Sequence, residues 1–197
     1  MIQSFKNELE LAKSIVTKHF DDSKKKRLIH IYGVAEMAMH LAKIYGIDPY
    51  KAAIAGYMHD YCKYDDFEKE KELLNEEDKK ECEKYPFLYH AYLSAIAYKK
   101  YIGSDEDIYN AIRNHVFGRP GMSLLEKIIM ISDYTEKNRT YESCIECRKM
   151  LLDGDMDKAI YKSLLYTINH VKDEGGIPHP RQLEVFNEYK ERIEKWI

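Results

Sequence analysis

Apolar side chains recur every three or four residues along most of this chain, and no stretch alternates convincingly between apolar and polar residues. This spacing places the apolar side chains on one face of an α-helix, and it gives no support for β-strands. Gly46 and Pro49 fit the end of one such helix and the start of the next. The pattern predicts helices over residues 5–20, 24–45, 48–64, 88–101, 106–116, 141–152 and 156–171, one that starts at Ser123, and a final one that ends near Trp196.

Polar segments rich in glycine, proline or charge separate these helices. Residues 65–84 are highly charged with few large apolar side chains, which predicts one or two short exposed helices or a loop. Residues 118–121 and 175–180 contain the glycines and prolines of loops. Ser123 and Glu126 have the spacing of a capping box before an apolar run. The chain is therefore expected to form one domain over residues 1–197, an all-α bundle of about eight to ten helices.

Composition narrows the choice of partners. The 197 residues carry a net charge of −3, so electrostatics gives no reason to expect a nucleic-acid or membrane partner. No apolar run approaches the roughly 20 residues that a membrane span needs, and no signal peptide is visible, which indicates a cytoplasmic protein. The four cysteines are expected to be thiols there. Cys144 and Cys147 have CxxC spacing, but no second pair completes a zinc site, so we interpret them as packing residues.

A small set of histidines and aspartates interrupts the most apolar parts of the predicted helices. Such groups are costly to bury unless they are paired or bind a metal. Helical bundles build metal sites from side chains that facing helices direct to one place. We therefore expect these residues to converge, and a bundle whose histidines merely satisfy one another is the simpler alternative. The set consists of His30, His59, Asp60, His90, His115 and Asp133.

Imidazole and carboxylate groups are ligands for iron, manganese, zinc and related ions. His30, His59, Asp60 and Asp133 would supply four ligands and leave positions open for water and substrate. Such an ion activates water and polarises a phosphoryl oxygen. Gly33 follows His30 by about one helical turn and clears space for an ion or a phosphate, or for close helix packing. Basic residues near these ligands in the sequence favour a phosphorylated substrate. They are Arg27, Lys63, Arg119 and Arg139.

The order of His30, His59-Asp60 and Asp133 is the signature of HD-domain metal-dependent phosphohydrolases. Four segments resemble the YqeK family of bacterial HD proteins: "RLIHIYGVAEMAMHLAKIYGID", "AAIAGYMHDYCKY", "AIRNHVFGRPGMSLLEKIIMISDYTEKNR" and "HPRQLEVFN". The resemblance covers the chain from about residue 27 to residue 187. That family hydrolyses diadenosine tetraphosphate symmetrically to two ADP, so the resemblance implies the same activity here.

The resemblance also implies a role for each residue of the set. The four expected ligands would hold a divalent metal, most often iron, with Mn, Co, Ni, Mg and Zn as alternatives. From the chemistry of the residues themselves, we expect Asp60, Lys63, His90 and His115 to carry the catalysis. A small nucleotide is the implied partner, and homodimerisation is left open. The nucleotide-binding residues would be His30, His90, His115, Asp133, Arg139 and a loop of Gly176, Ile177, Pro178, His179, Pro180 and Arg181.

The chain departs from the family's usual sequence at three places. Val116-Phe117 stands where the family usually has two threonines, Lys137 where it often has proline, and Arg181-Gln182 where it usually has Asp-Thr. The metal ligands are unaffected, whereas the last change bears on the preference for a base or a phosphate length. Two alternatives stay open: another HD-class hydrolase, acting on deoxynucleotides or guanosine tetraphosphate, and a non-catalytic nucleotide sensor.

Overall fold

The structure, a computed structural model, describes residues 2–20 and 22–195, and within them it contains helices and turns but no strand. The all-α prediction is confirmed. Eleven α-helices occur in the described chain, more than the sequence predicted, because the charged segment forms two short ones. Trp196, near which the final helix was predicted to end, lies outside the described residues. The helices are α1 Ile2–His19, α2 Lys25–Tyr45, α3 Pro49–Met58, α4 Phe67–Glu70, α5 Glu76–Lys84, α6 Tyr89–Tyr101, α7 Glu106–Arg113, α8 Leu124–Thr135, α9 Glu142–Leu152, α10 Met156–Asp173 and α11 Pro180–Glu194.

Small residues bring α2 and α3 into close contact at the centre of the fold. A Cβ atom at Gly56 would lie only 2.6 Å from the Cα atom of Ala35, so glycine is needed for the two backbones to approach. Ala52, Ala53 and Ala55 on α3 are fully buried. This close packing fixes the position of α3 relative to α2; α2 carries the predicted ligand His30, and His59 and Asp60 follow directly after α3.

Two helices end earlier than the apolar pattern predicts. The helix predicted over residues 48–64 ends at Met58, and the one predicted over 106–116 ends at Arg113. After Met58 the chain continues in tight turns, with the N–H of Lys63 bonded to the carbonyl of Asp60. The N–H of Cys62 is donated to Ser94 Oγ at 3.0 Å instead of to a helical carbonyl. The apolar pattern does not mark the end of the helix at Met58, because buried side chains continue through the turn that follows.

The capping box predicted at the start of α8 is present. Ser123 Oγ accepts from the N–H of Glu126, and Glu126 Oε2 accepts from the N–H of Ser123 at 2.7 Å. The buried Glu126 carboxylate also binds the Arg119 guanidinium through bonds of 2.7 and 2.8 Å. Arg119 therefore supports the helix start, and the structure does not bring it to the predicted ligands.

Among residues 2–20 and 22–195, none of the helices combines the length and the apolar character that crossing a bilayer requires. The four cysteines are buried free thiols.

Candidate active site

The predicted histidines and aspartates converge from five parts of the bundle. His30 comes from α2, His59 and Asp60 from the turn after α3, His90 from α6, His115 from the turn after α7, and Asp133 from α8. All are buried except Asp133, whose side chain is 29% exposed and so opens the cluster to solvent. Their nitrogen and oxygen atoms form three overlapping groups with the spacing of metal ligands.

One side of the cluster contains the four residues that the sequence predicted to be metal ligands. His30 Nε2 lies 3.0 Å from Asp133 Oδ1 and 3.9 Å from Asp60 Oδ2. His59 Nε2 lies 3.5 Å from Asp60 Oδ2 and 3.9 Å from Asp133 Oδ1. Two imidazole nitrogens and two carboxylate oxygens therefore surround one point, which is the donor set of a divalent metal.

The other side of the cluster uses the second oxygen of Asp60. Asp60 Oδ1 lies 3.1 Å from His90 Nε2 and 3.9 Å from His115 Nε2, and these two nitrogens are 3.2 Å apart. Oδ2 faces the first group while Oδ1 faces the second. Asp60 is therefore placed as a bridging carboxylate between two sets of donors.

Hydrogen bonds fix which nitrogen each imidazole presents. The Nδ1 atom of His59 is 2.7 Å from the Gly56 carbonyl, and that of His115 is 2.8 Å from the Ile112 carbonyl. Because a carbonyl only accepts, both Nδ1 atoms carry the proton and both Nε2 atoms present a lone pair to the cluster. His59 Nε2 is buried without a hydrogen-bond partner. An orphaned lone pair on a buried imidazole fits a bound metal ion.

Glu136 is a member of the site that the sequence did not reveal. This carboxylate is almost fully buried just after α8, and its Oε1 atom lies 3.3 Å from His30 Nδ1. Its Oε2 atom accepts from the backbone N–H and the side-chain amide of Asn138 at 2.7 and 2.8 Å. Carboxylates in this position orient metal-binding histidines and raise their basicity.

The sequence suggested that the space next to Gly33 serves an ion or a phosphate, or close helix packing, but the Glu136 carboxylate occupies it. A Cβ atom at this position would lie 2.3 Å from Glu136 Oε2 and 3.0 Å from the Asn138 side-chain amide. The absent side chain therefore makes room for the carboxylate that supports His30, and neither an ion, a phosphate nor a helix backbone fills it. The only sign of this arrangement in the sequence is a glycine one helical turn after His30. The residue that fills the space, Glu136, lies more than 100 residues further along the chain.

The charges in the cluster set its protonation states. Burial alone would raise the pKa of Asp60, but His59 beside it holds that pKa well below its ordinary value. Partial burial also opposes ionisation of Asp133, and contact with His30 lowers its pKa nonetheless. Burial and the neighbouring histidines lower the pKa of His115 to about 3. At neutral pH both carboxylates are anionic and His115 is neutral, as metal ligation requires.

His59 and His90 respond differently to burial. Burial lowers the pKa of His59, but the adjacent Asp60 outweighs this effect and the pKa is raised. The pKa of His90 is lowered, chiefly by burial. The raised pKa of His59 reflects the negative charge of Asp60 beside it, and that charge favours a cation at this point.

Three basic side chains surround the cluster. Arg27 Nη1 donates to Asp60 Oδ2 at 2.6 Å, and Lys63 Nζ lies 3.7 Å from Asp60 Oδ1 and 3.2 Å from His90 Nε2. Arg139 Nη2 lies 3.8 Å from Asp133 Oδ1. The Nε atoms of both arginines are buried without a hydrogen-bond partner. These cations give the open side of the cluster affinity for phosphate groups.

The loop at residues 176–181 is tied to another part of the bundle. His179 stacks on Phe117 with ring centres 4.8 Å apart, and Arg181 pairs with Glu81 at 2.6 Å and donates to the hydroxyl of Tyr92. Phe117 lies two residues after His115, so the loop approaches the cluster indirectly. The contact of the loop with nucleotide, which the resemblance implied for Gly176, Ile177, Pro178, His179, Pro180 and Arg181, stays a prediction.

A helical bundle that directs four histidines and two aspartates to one buried point, with cations around it, defines a metal-dependent hydrolase of phosphate esters. The profile of the HD domain matches residues 27–138, which include all six of these residues. The chain belongs to the HD-domain family.

Similar proteins indicate which branch of the HD-domain family this chain resembles. The symmetrical bis(5'-nucleosyl)-tetraphosphatase of Halalkalibacterium halodurans is 36% identical and covers 91% of this chain and 94% of its own. The protein of the same name from Bacillus subtilis is 40% identical over 72% of this chain and 77% of its own. A Clostridium acetobutylicum crystal structure, described as a "predicted HD superfamily hydrolase involved in NAD metabolism", has a TM-score of 0.81 at 39% identity and covers 92% of this chain and 96% of that one. The predicted resemblance to the YqeK family is confirmed.

Proposed function

We propose that this protein is an iron-dependent phosphohydrolase, formed by one domain over residues 1–197, that splits diadenosine tetraphosphate symmetrically into two ADP. The observation that carries the proposal is that two groups of metal-ligand atoms share Asp60, and that Arg27 and Lys63 lie beside its two carboxylate oxygens. The names of the relatives from H. halodurans and B. subtilis support the choice of substrate.

The donor groups favour a transition metal. By the distances between their ligand atoms, His30, His59, Asp60 and Asp133 would hold one ion. Asp60, His90 and His115 would hold a second. Mixed imidazole and carboxylate donors suit Fe, Mn, Co, Ni or Zn better than Mg, which prefers oxygen ligands. A divalent ion bound there supplies Lewis acidity towards phosphoryl oxygens and makes water a better nucleophile.

The remaining residues position the substrate. Arg27 and Arg139 are partly exposed beside the two aspartates, so their guanidinium groups are placed to bind phosphate oxygens. The ammonium group of Lys63, next to His90, would offset negative charge that develops on the leaving ADP. Asp60 holds both donor groups together, while hydrogen bonds to Gly56 and Ile112 keep two imidazoles in the orientation that binding requires.

The test combines metal analysis with product analysis. Freshly purified protein should contain iron, and diadenosine tetraphosphate should give ADP as the sole product. Replacing His59 or Asp60 by alanine should remove both metal and activity, whereas His40→Ala, on an exposed position of α2, should change neither. Formation of ATP and AMP, or full activity in the metal-free protein, would contradict the proposal.

A second candidate is hydrolysis of another nucleotide pyrophosphate, because the C. acetobutylicum relative is described as involved in NAD metabolism. A panel of NAD, deoxynucleotides and guanosine tetraphosphate, assayed beside diadenosine tetraphosphate, separates the two. Higher kcat/KM for any of these would favour this candidate, and tight binding without turnover across several metals would favour a nucleotide sensor.

A further inference from the structure

An exposed aromatic side chain lies beside the donor cluster, close to the turn that carries two of the predicted ligands. Tyr64 follows Asp60 by four residues and is 51% exposed. It does not line the cavity of about 590 Å³ that opens from the cluster at Asp133 and Arg139. The Tyr64 ring is therefore accessible to a ligand that leaves the cluster by a route other than this cavity.

Several contacts hold the Tyr64 ring in place. Phe20 packs against it edge-on, with ring centres 6.3 Å apart, and Lys24 Nζ lies 5.5 Å from the centre of the Tyr64 ring. The Tyr64 hydroxyl is a hydrogen-bond partner of the Arg27 guanidinium. Burial opposes the charge of Arg27, but Asp60 and this hydroxyl raise the pKa of Arg27 above its ordinary value. Because the ring is already held, a ligand that stacks on it loses little additional conformational entropy.

The side chains between Tyr64 and the donor cluster are cationic. Arg27 Nη1 donates to Asp60 Oδ2 at 2.6 Å, and Lys63 Nζ lies 3.7 Å from Asp60 Oδ1. Among the described residues, Arg27 Nε has no hydrogen-bond partner. One guanidinium group therefore connects the Tyr64 hydroxyl to a predicted metal ligand and still has a free donor. A phosphate chain that leaves the cluster on this side would lie against Arg27 and Lys63 before its end comes to Tyr64.

An aromatic ring beside such cations suits a nucleobase that follows a chain of phosphates. Any of the bases can stack on an aromatic side chain, while arginine and lysine bind the phosphates. A dinucleoside tetraphosphate has a nucleoside at each end, and symmetrical cleavage leaves two phosphates on each side of the broken bond. The half of the substrate on the Asp60 side would therefore place its base beyond Arg27, where Tyr64 lies.

We propose that the base of the second nucleoside of the substrate stacks on Tyr64, while Arg27 and Lys63 bind the two phosphates of that half. The inference rests on the proposed function, since it takes a dinucleoside polyphosphate as the substrate. Tyr64 is then a specificity-determining residue. It favours substrates that have a nucleoside at both ends over nucleotides whose phosphate chain ends freely.

The test compares two substrates of the metal-loaded protein, diadenosine tetraphosphate and adenosine 5'-tetraphosphate, which has the same four phosphates but only one nucleoside. The readout is the ratio of their kcat/KM values. Tyr64→Ala should lower this ratio about tenfold, because it removes the stacking surface. Tyr64→Phe, which keeps the ring without the hydroxyl, should restore the wild-type ratio. Tyr101→Ala is the matched control, since Tyr101 is 44% exposed and has Lys100 Nζ 5.0 Å from its ring centre, and it should not alter the ratio.

A folded Tyr64→Ala protein with normal metal content and the wild-type ratio would overturn the inference. An equal loss of activity towards both substrates gives that result, because a structural role of Tyr64 through Arg27 affects both alike. A lowered ratio in Tyr64→Phe would also overturn it, since the hydroxyl and not the ring would then be recognised. If Tyr64→Ala does not fold, Tyr64→Leu, which keeps bulk without an aromatic face, replaces it.

The proposed function and the role of Tyr64 fail in different ways. If wild-type protein does not hydrolyse diadenosine tetraphosphate, the proposed function fails, and dissociation constants of the same two compounds, measured by calorimetry, give the ratio instead. A ratio that falls in Tyr64→Ala and is restored in Tyr64→Phe would then still support the binding site. Symmetrical hydrolysis by wild type, together with an unchanged ratio in Tyr64→Ala, would support the function and refute the site.

Discussion

Replacing Gly33 by alanine is expected to weaken metal binding about 10- to 100-fold while the protein stays folded. The new Cβ atom would lie 2.3 Å from Glu136 Oε2. Ordinary contacts between such atoms are about 3.5 Å, so the carboxylate must move by roughly 1 Å. Glu136 then loses its contact with His30 Nδ1, which is 3.3 Å long in the structure. His30 would lose the group that sets the direction of its Nε2 atom.

The effect on folding should be smaller than the effect on the metal. Forcing an extra methyl group into a packed site costs about 1–3 kcal/mol. Alanine inside a helix recovers about 0.5–1 kcal/mol relative to glycine. The net loss is at most about 2.5 kcal/mol, which lowers the melting temperature by less than about 10 °C for a chain of this size.

The assay is a metal dissociation constant from competition with a chelator, beside a melting curve of the metal-free protein. Gly103→Ala is a matched control, because its Cβ atom would lie 2.6 Å from a carboxylate oxygen of Glu8, away from the donor cluster. It should reduce stability and leave metal affinity unchanged. Glu136→Gln, which keeps the size of the side chain but not its charge, should weaken metal binding without the steric effect. Metal affinity within twofold of wild type in a folded Gly33→Ala protein would refute the reasoning.

Four further outcomes follow from the contacts. Arg119→Ala should lower the free energy of unfolding by about 1–3 kcal/mol in a denaturant titration, since it leaves the buried Glu126 short of partners, and should not change metal content. Lys63→Met should reduce kcat/KM about 100-fold with normal metal content, and an unchanged value would exclude its role with phosphates. Removing metal with a chelator should lower the melting temperature, and adding iron back should restore it, because the ion binds only the folded site. Folding lowers the pKa of His115 from 6.5 to about 3. The neutral His115 imidazole therefore contributes its full stabilisation above pH 6.5, and this stabilisation is lost as the pH falls towards 3. In metal-free protein, His115→Asn should reduce the pH dependence of the free energy of unfolding between pH 6.5 and 3.

The donor residues could be predicted from the sequence because each interrupts an apolar run. A polar side chain at such a position either has a specific partner in the core or is destabilising. The prediction did not depend on knowing where α3 ends. His59 and Asp60 were expected within a helix and instead lie in the turn after Met58. Side chains on both sides of that turn are buried, so periodicity alone does not mark the boundary.

Glu136 and Arg119 show what the sequence did not reveal. Glu136 follows α8 in a charged segment that has the composition of solvent-exposed chain, yet packing against Gly33 buries it. Arg119 is close in sequence to His115, but the capping box at α8 binds its guanidinium. In both cases the partner is set by how helices pack, and distance along the chain carries no information about that.

The two imidazoles whose Nδ1 atoms bond to backbone carbonyls have a consequence for how this site tolerates mutation. Every residue type has a carbonyl, so substitution at Ile112 keeps the acceptor for His115 as long as the turn is kept. His30 depends instead on the side-chain carboxylate of Glu136, which a single nucleotide change in the Glu136 codon can remove. The orientation of His59 and His115 therefore tolerates substitution of the residues that hold them, because backbone carbonyls do so. The orientation of His30 does not, because it requires a carboxylate at Glu136 and the absence of a side chain at Gly33.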